Sequence, residues 1–355
     1  MENSVTQKAY GLLGGAVQAN RWLIILTTLH AGATILAADR ARIDYDNGAV
    51  QTLMTLFGTL IPAYLFVLLI WRLGYMIRIA RPKRPSAWLI ADVRATLFDA
   101  ERLVNGLVAL IVMSIFFNNF SFLKEAIPAL NPFGWDVFFM QMDRVLHGGV
   151  DPYVLLMPIF GHPAVLQLLS GAYVLWLFAL YFVVFIACFT RTNPAARASF
   201  LAAFALTWAI GGNLVAIAFA SVGPVFYAPL GLGDVFSPLM THLHLVNETN
   251  PLSAVAVQDM LWSGYASGDP MAGISAFPSM HVASSALLAC YAFSYARWAG
   301  IALTLFLGVI LIGSVMLGWH YAVDGYAGIA IAWASWKLAC RIHHPKANAA
   351  HLQSA

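Results

Sequence analysis

Eight stretches of apolar residues are each about 20 positions long, enough to cross a hydrocarbon core of roughly 30 Å as a helix. They run Trp22–Ala38, Val50–Tyr75, Leu103–Leu123, Ala164–Phe189, Ala198–Val222, Phe277–Ala296, Gly300–Trp319 and Ala322–Cys340. The first is the most dilute, with His30, Gly32 and Thr34 inside it, and almost nothing separates the last two. Two polar connections are long, Lys124–Pro163 and Gly223–Ile274, and the second is rich in Gly, Pro and Asp, as a structured cover over a site would be. The pattern predicts an all-α polytopic membrane protein of about eight transmembrane helices.

Composition agrees with the pattern. Of 355 residues, 61% are hydrophobic and 10% charged, against about half and a quarter in a soluble domain, so lipid is expected to solvate much of the surface. The net charge of +3 is small, and no basic stripe with interleaved aromatics points to nucleic acid. Charge also sets orientation. With both termini in the cytoplasm, every lysine and arginine except Arg40, Arg42, Lys124 and Arg144 falls on the inner side, as the positive-inside rule requires. The densest basic run, Arg78 to Arg84, reads as a topology anchor near anionic headgroups. Cys188, Cys290 and Cys340 lie in or at the ends of apolar runs without metal-ligand spacing and read as packing residues. Three divisions follow: residues 1–100 with two helices and a basic cytoplasmic loop, 101–345 with six helices carrying the chemistry, and a cytoplasmic tail over 346–355.

Ionisable residues at the edge of a span are costly and mark function. His281 stands where an outer loop enters the sixth span, in Phe277-Pro-Ser-Met-His281, and His320 stands between the seventh and eighth, in Gly318-Trp-His-Tyr-Ala-Val-Asp324. The interval between them is about two helical crossings, so both imidazoles return to one face, expected to be the non-cytoplasmic one. Asp324 follows His320 by four residues, the spacing of a shared helical face. A carboxylate there can accept the Nδ1 proton, leave Nε2 free as a nucleophile and stabilise the cationic ring. His281 would then serve as acid to a leaving oxygen.

Pro278-Ser-Met-His281 and His320-x-x-x-Asp324 resemble the second and third signature motifs of the type 2 phosphatidic acid phosphatase superfamily. Lys124 and the six residues that follow fit the first motif, with Asn131 where that family carries arginine. The resemblance covers about Leu103 to Cys340 and implies a six-helix core. It also implies that His320 is the nucleophile forming a phosphohistidine, Asp324 its orienting partner and His281 the acid. Lys124 and Ser279 would bind phosphate, with no metal and no cofactor required. Gly313 and Ser314 stand where the family has Ser-Arg before the third motif, and Met280 replaces a glycine.

Loss of the cationic clamps is similar to the inositol phosphorylceramide synthase branch, which passes phosphorylated headgroups between membrane lipids. A phosphodiester carries less charge than a monoester and needs fewer counter-charges. Tyr227, in a Gly-Pro-aromatic stretch, and Arg144 are further candidates for the substrate wall. The expected function is therefore a lipid phosphotransferase. Hydrolysis of phosphatidate or a polyprenyl diphosphate is the alternative within the superfamily, and a non-enzymatic lipid transporter the alternative outside it.

Overall fold

The computed structural model describes residues 2–45, 49–267 and 273–343, and among them there is helix but no strand. The expected tail over 346–355 lies outside the described residues. The chain opens with α1 (Glu2–Ala19), α2 (Arg21–Ala41) and α3 (Ala49–Tyr75), the last continued by a π-helical turn over Met76–Ala80. Where the sequence predicts a basic loop, α4 (Pro85–Leu97) forms, started by a proline in its first turn. α5 (Ala100–Glu125) is capped by Asp99, which accepts from Arg102 N at 2.8 Å.

Short helices follow: α6 (Ile127–Leu130), α7 (Asp136–Leu146) and α8 (Pro152–Phe160). Two long helices, α9 (Pro163–Phe189) and α10 (Pro194–Thr207), again begin on proline. α10 runs on through a π-helical stretch, Trp208–Val215, into the single turn α11 (Ala216–Ala218). The second long connection is folded into α12 (Ser237–Thr249) and α13 (Ser253–Ala266), and the last described helices are α14 (Met280–Phe293), α15 (Arg297–Met316) and α16 (Ala322–His343).

Helices stand at all eight expected places, and six are long and apolar enough to cross a membrane: Arg21–Ala41, Gly58–Ala80, Ala100–Glu125, Pro163–Phe189, Pro194–Ala218 and Arg297–Met316. α14 and α16 are the other two. α14 has 14 residues, about 21 Å at 1.5 Å per residue. Its residues Val282 to Ala289 are all buried, among α9, α10, α15 and α16. Protein rather than lipid surrounds it, so it need not match the bilayer thickness. α16 has the length, but Asp324 at one end and Lys337 and Arg341 at the other dilute it.

Polar contacts dock the first two helices onto this core. Arg197, 2% exposed, donates to the Ala187 and Cys188 carbonyls and to Asn20 Oδ1 at 3.0 Å. On α2, His30 Nε2 lies 2.8 Å from Asn213 Oδ1, and Asn213 Nδ2 donates to the Phe120 carbonyl at 3.2 Å. The added helices thus reach the π-helical stretch that walls the site. Wide turns of this kind concentrate at functional sites. Gly212 makes room there, because a Cβ on it would meet the Phe120 ring at 2.6 Å and Met280 at 3.2 Å.

Candidate active site

At one end of the bundle a cavity of about 440 Å³ is lined by Lys124, His281, His320, Trp319, Met280 and a set of aromatic and aliphatic side chains from α5, α9, the π-helical stretch and α13. The structure therefore brings Lys124, His281 and His320 to one wall. The two imidazoles meet edge to face with ring centroids 5.9 Å apart. His281 rests against Trp176 at 4.0 Å and stacks on Tyr173 at 4.6 Å, and the Trp176 indole donates to Ser284 Oγ at 3.0 Å. This cage fixes the plane of the ring.

His320 lies in the turn before α16 rather than on the helix. Its contact with Asp324 is therefore made by the helix's first turn folding back, not by a shared helical face. Asp324 Oδ2 accepts from Tyr321 N at 3.1 Å and stands 3.3 Å from His320 Nδ1. A closer partner of Nδ1 is the Ala276 carbonyl, at 2.8 Å. A carbonyl only accepts, so Nδ1 carries the proton and Nε2 of the neutral ring keeps its lone pair. Burial pushes the His320 imidazole down to about 4; the Ala276 bond opposes this and Lys124 adds to it. At neutral pH the ring is an uncharged base with Nε2 free, the state that a nitrogen nucleophile needs.

Two carboxylates on α7 hold this loop from behind. Asp136 accepts from Val222 N at 3.0 Å, Gly223 N at 2.9 Å and the Tyr321 hydroxyl at 2.9 Å. Asp143 accepts from Ala322 N at 2.7 Å and Val323 N at 2.9 Å, capping α16 from another helix. Both are buried, and burial raises both above the usual carboxylate range while the amides pull the other way. α7 therefore supports the loop across a helix–loop contact. Its two carboxylates, seven residues and so two turns apart on one face, were the available signal of an inward role.

The remaining candidates are placed elsewhere. The Ser279 hydroxyl accepts from Val282 N at 3.5 Å, as the N-cap of α14, and the side chain is fully buried away from the cavity wall. Asn131 donates to the Ile217 carbonyl at 2.7 Å and ties α6 to the end of the α10 segment. Tyr227 is 2% exposed and packs on Phe236. Arg144 forms a two-pronged pair with Asp151, both contacts at 2.9 Å. None of these four lines the cavity. His242 lies within hydrogen-bond distance of the Gly161 carbonyl, at 2.7 Å.

Known proteins give one decisive comparison. The family model of the PAP2 superfamily matches residues 137–338, more than half of the chain. The chain belongs to the PAP2 superfamily. No curated protein and no solved structure matches it. Members of the PAP2 superfamily are generally phosphatases or phosphotransferases acting on phosphate esters. The matched segment holds both histidines, Asp143 and Asp324, while Asp136 stands one residue before its start and Lys124 on α5 precedes it further. In this PAP2 protein the cavity wall combines one lysine with two imidazoles and carries no arginine among the described residues.

Proposed function

We propose that this protein is an integral membrane lipid phosphotransferase that moves a phosphorylated headgroup from one lipid to another through a phosphohistidine. The observation that carries the reading is the wall itself: a neutral His320 with Nε2 free, His281 one ring away and a single cation, Lys124, around an apolar cavity. Lipid access is supported by the cavity's side. Val174 and Leu177 on α9 and Val257 on α13 line it, yet are 45%, 44% and 42% exposed, so the wall opens between these helices onto an apolar surface. By the distribution of basic residues, the site lies at the non-cytoplasmic face.

His320 Nε2 attacks the phosphorus of the donor's phosphodiester, the N–P bond forms and the P–O bond to the donor alcohol breaks. His281, whose protonated form the negative charge of the bound phosphodiester favours, gives its proton to the leaving oxygen. In the second half His281 takes the proton of an acceptor alcohol, whose oxygen forms the new P–O bond as the N–P bond breaks. Both histidines return to their starting states, and water is the competitor that the apolar wall excludes. One lysine suits a singly charged phosphodiester, whereas a monoester would present two charges to it.

Purified protein in lipid micelles with phosphate-labelled phosphatidylinositol and phosphatidate, with and without ceramide or diacylglycerol, tests the reading. A new labelled lipid formed only with acceptor and lost in His320→Ala is the expected result. Free phosphate released from phosphatidate would assign the hydrolytic reaction instead. Turnover that survives His320→Ala would overturn the histidine chemistry.

A further inference from the structure

At the opposite end from Lys124 of α5, a helix of 26 residues and so about 39 Å long at 1.5 Å per residue, a second concave surface lies between α3 and α4. It is an open groove of about 630 Å³ lined by Leu69, Leu89, Val93, Leu97 and Phe98, with Arg94 as the one charged side chain on its wall. The groove is built rather than incidental. Arg72 pairs with Asp92 at 2.9 Å, Tyr75 stacks on Trp88 at 6.2 Å, and Arg102 donates to the Thr96 carbonyl at 2.9 Å. These contacts hold α4 against α3 and α5.

The charge at this end is unbalanced. The acid beside the groove, Asp92, is matched by Arg72, which leaves Arg94 and the exposed Arg78, Arg81, Lys83 and Arg84 without counter-charge nearby on α3, its π-turn or α4. An apolar slot with Arg94 on its wall and a basic turn joining its two helices has the chemistry of a lipid carrying an anionic headgroup: chains against the leucines and Phe98, phosphate against Arg94.

We propose that the α3–α4 groove is a binding site for an anionic phospholipid of the leaflet opposite to the catalytic cavity. The site is independent of the reaction and binds lipid that is not turned over. Negative charge on the headgroup selects the occupant, and the apolar slot holds its chains, so zwitterionic phospholipid competes poorly. Arg94 and the basic turn are the selecting groups, while Leu97 measures the depth of the slot.

Native mass spectrometry of the full chain, released from micelles holding equal amounts of phosphatidylglycerol and phosphatidylcholine, reads the site directly. Retention of phosphatidylglycerol over phosphatidylcholine by about tenfold is expected from two or more cations at the headgroup. Arg94→Glu, a change at an exposed position, should abolish the preference, and Leu97→Trp should remove the bound lipid by filling the slot. Equal retention of both lipids by the native chain would overturn the proposal, as would a preference unchanged in Arg94→Glu. A dimer peak lost in Leu97→Trp, with no lipid adduct in the native chain, would assign the groove to a second copy and overturn it too. Arg94→Glu decides the matter alone if Leu97→Trp fails to fold.

Discussion

Ser279 and Asp324 are joined main chain to main chain: the Ser279 amide donates to the Asp324 carbonyl at 3.0 Å. The loop that enters α14 and the first turn of α16 are thereby one unit, and His281 and His320 keep their spacing because of it. Gly328, one turn further along α16, permits the approach. A Cβ there would stand 2.6 Å from the Ser279 carbonyl oxygen, a main-chain atom that cannot swing aside.

Gly328→Val should therefore separate the two helices and lower turnover by about 100-fold, the scale of a 1 Å misplacement of reacting groups. The protein should still insert and elute as the native chain does. Unchanged turnover in the labelled-lipid assay would mean that the spacing of the histidines is held elsewhere.

Asp143 accepts two main-chain amides, each a hydrogen bond to a charged group worth about 1.5–3 kcal/mol. Asp143→Ala leaves Ala322 N and Val323 N buried without their acceptor and should destabilise the fold by about 3 kcal/mol or more. Thermal unfolding in detergent checks this. Asp143→Asn should recover only part of the loss, since its amide presents hydrogens to one of the two donors. A melting temperature equal to the native one would show that α16 is capped without it.

The pH profile follows from His320, which lies in a turn outside the spans. Its imidazole is pushed down to about 4 by burial, so the acid limb of kcat/KM should fall near that value and not near the usual ~6.5. Lys124 contributes to the depression, and Lys124→Met should shift the limb to higher pH. The sign for stability is the same. The unfolded chain takes up the proton first as pH falls, so this group's contribution is intact above about 6.5 and is lost on the way down to 4. A limb that moves to lower pH in Lys124→Met would refute the electrostatic account.

Leu177→Trp places a bulky ring at the side opening between α9 and α13. It should slow turnover of a two-chain lipid by about tenfold or more. A small water-soluble phosphodiester, entering from the outer loops, should be turned over as before. An equal effect on both substrates would place the lipid's route elsewhere.

The chain announces part of this arrangement and hides the rest for physical reasons. Two histidines a double crossing apart, each next to a span, are local signals, and geometry returns them to one end. Lys124 is legible for the same reason, being a cation at the end of a long apolar run. That Arg144, Asn131 and Tyr227 stand off the cavity wall is not legible, because their partners are tertiary or main-chain groups: the Asp151 carboxylate, the Ile217 carbonyl and the Phe236 ring. The holding role of Asp136 and Asp143 is not legible because they bind amides of Val222, Gly223, Ala322 and Val323. Amides are present at every residue and leave no mark in a sequence. The length of α14 was overestimated because hydropathy does not distinguish lipid from protein as the surrounding medium.

The carbonyl that holds His320 Nδ1 belongs to Ala276, and this has a genetic consequence. A single codon change can delete the carboxylate of Asp324, but no substitution at position 276 other than one that moves the backbone removes its oxygen. A lineage that lost Asp324 would still inherit a histidine with its proton on the right nitrogen. What it would lack is the negative charge that would steady the ring in the proposed phosphohistidine. Proton placement and charge compensation, joined in one residue in a simple His–Asp pair, are thus separable heritable traits in this chain.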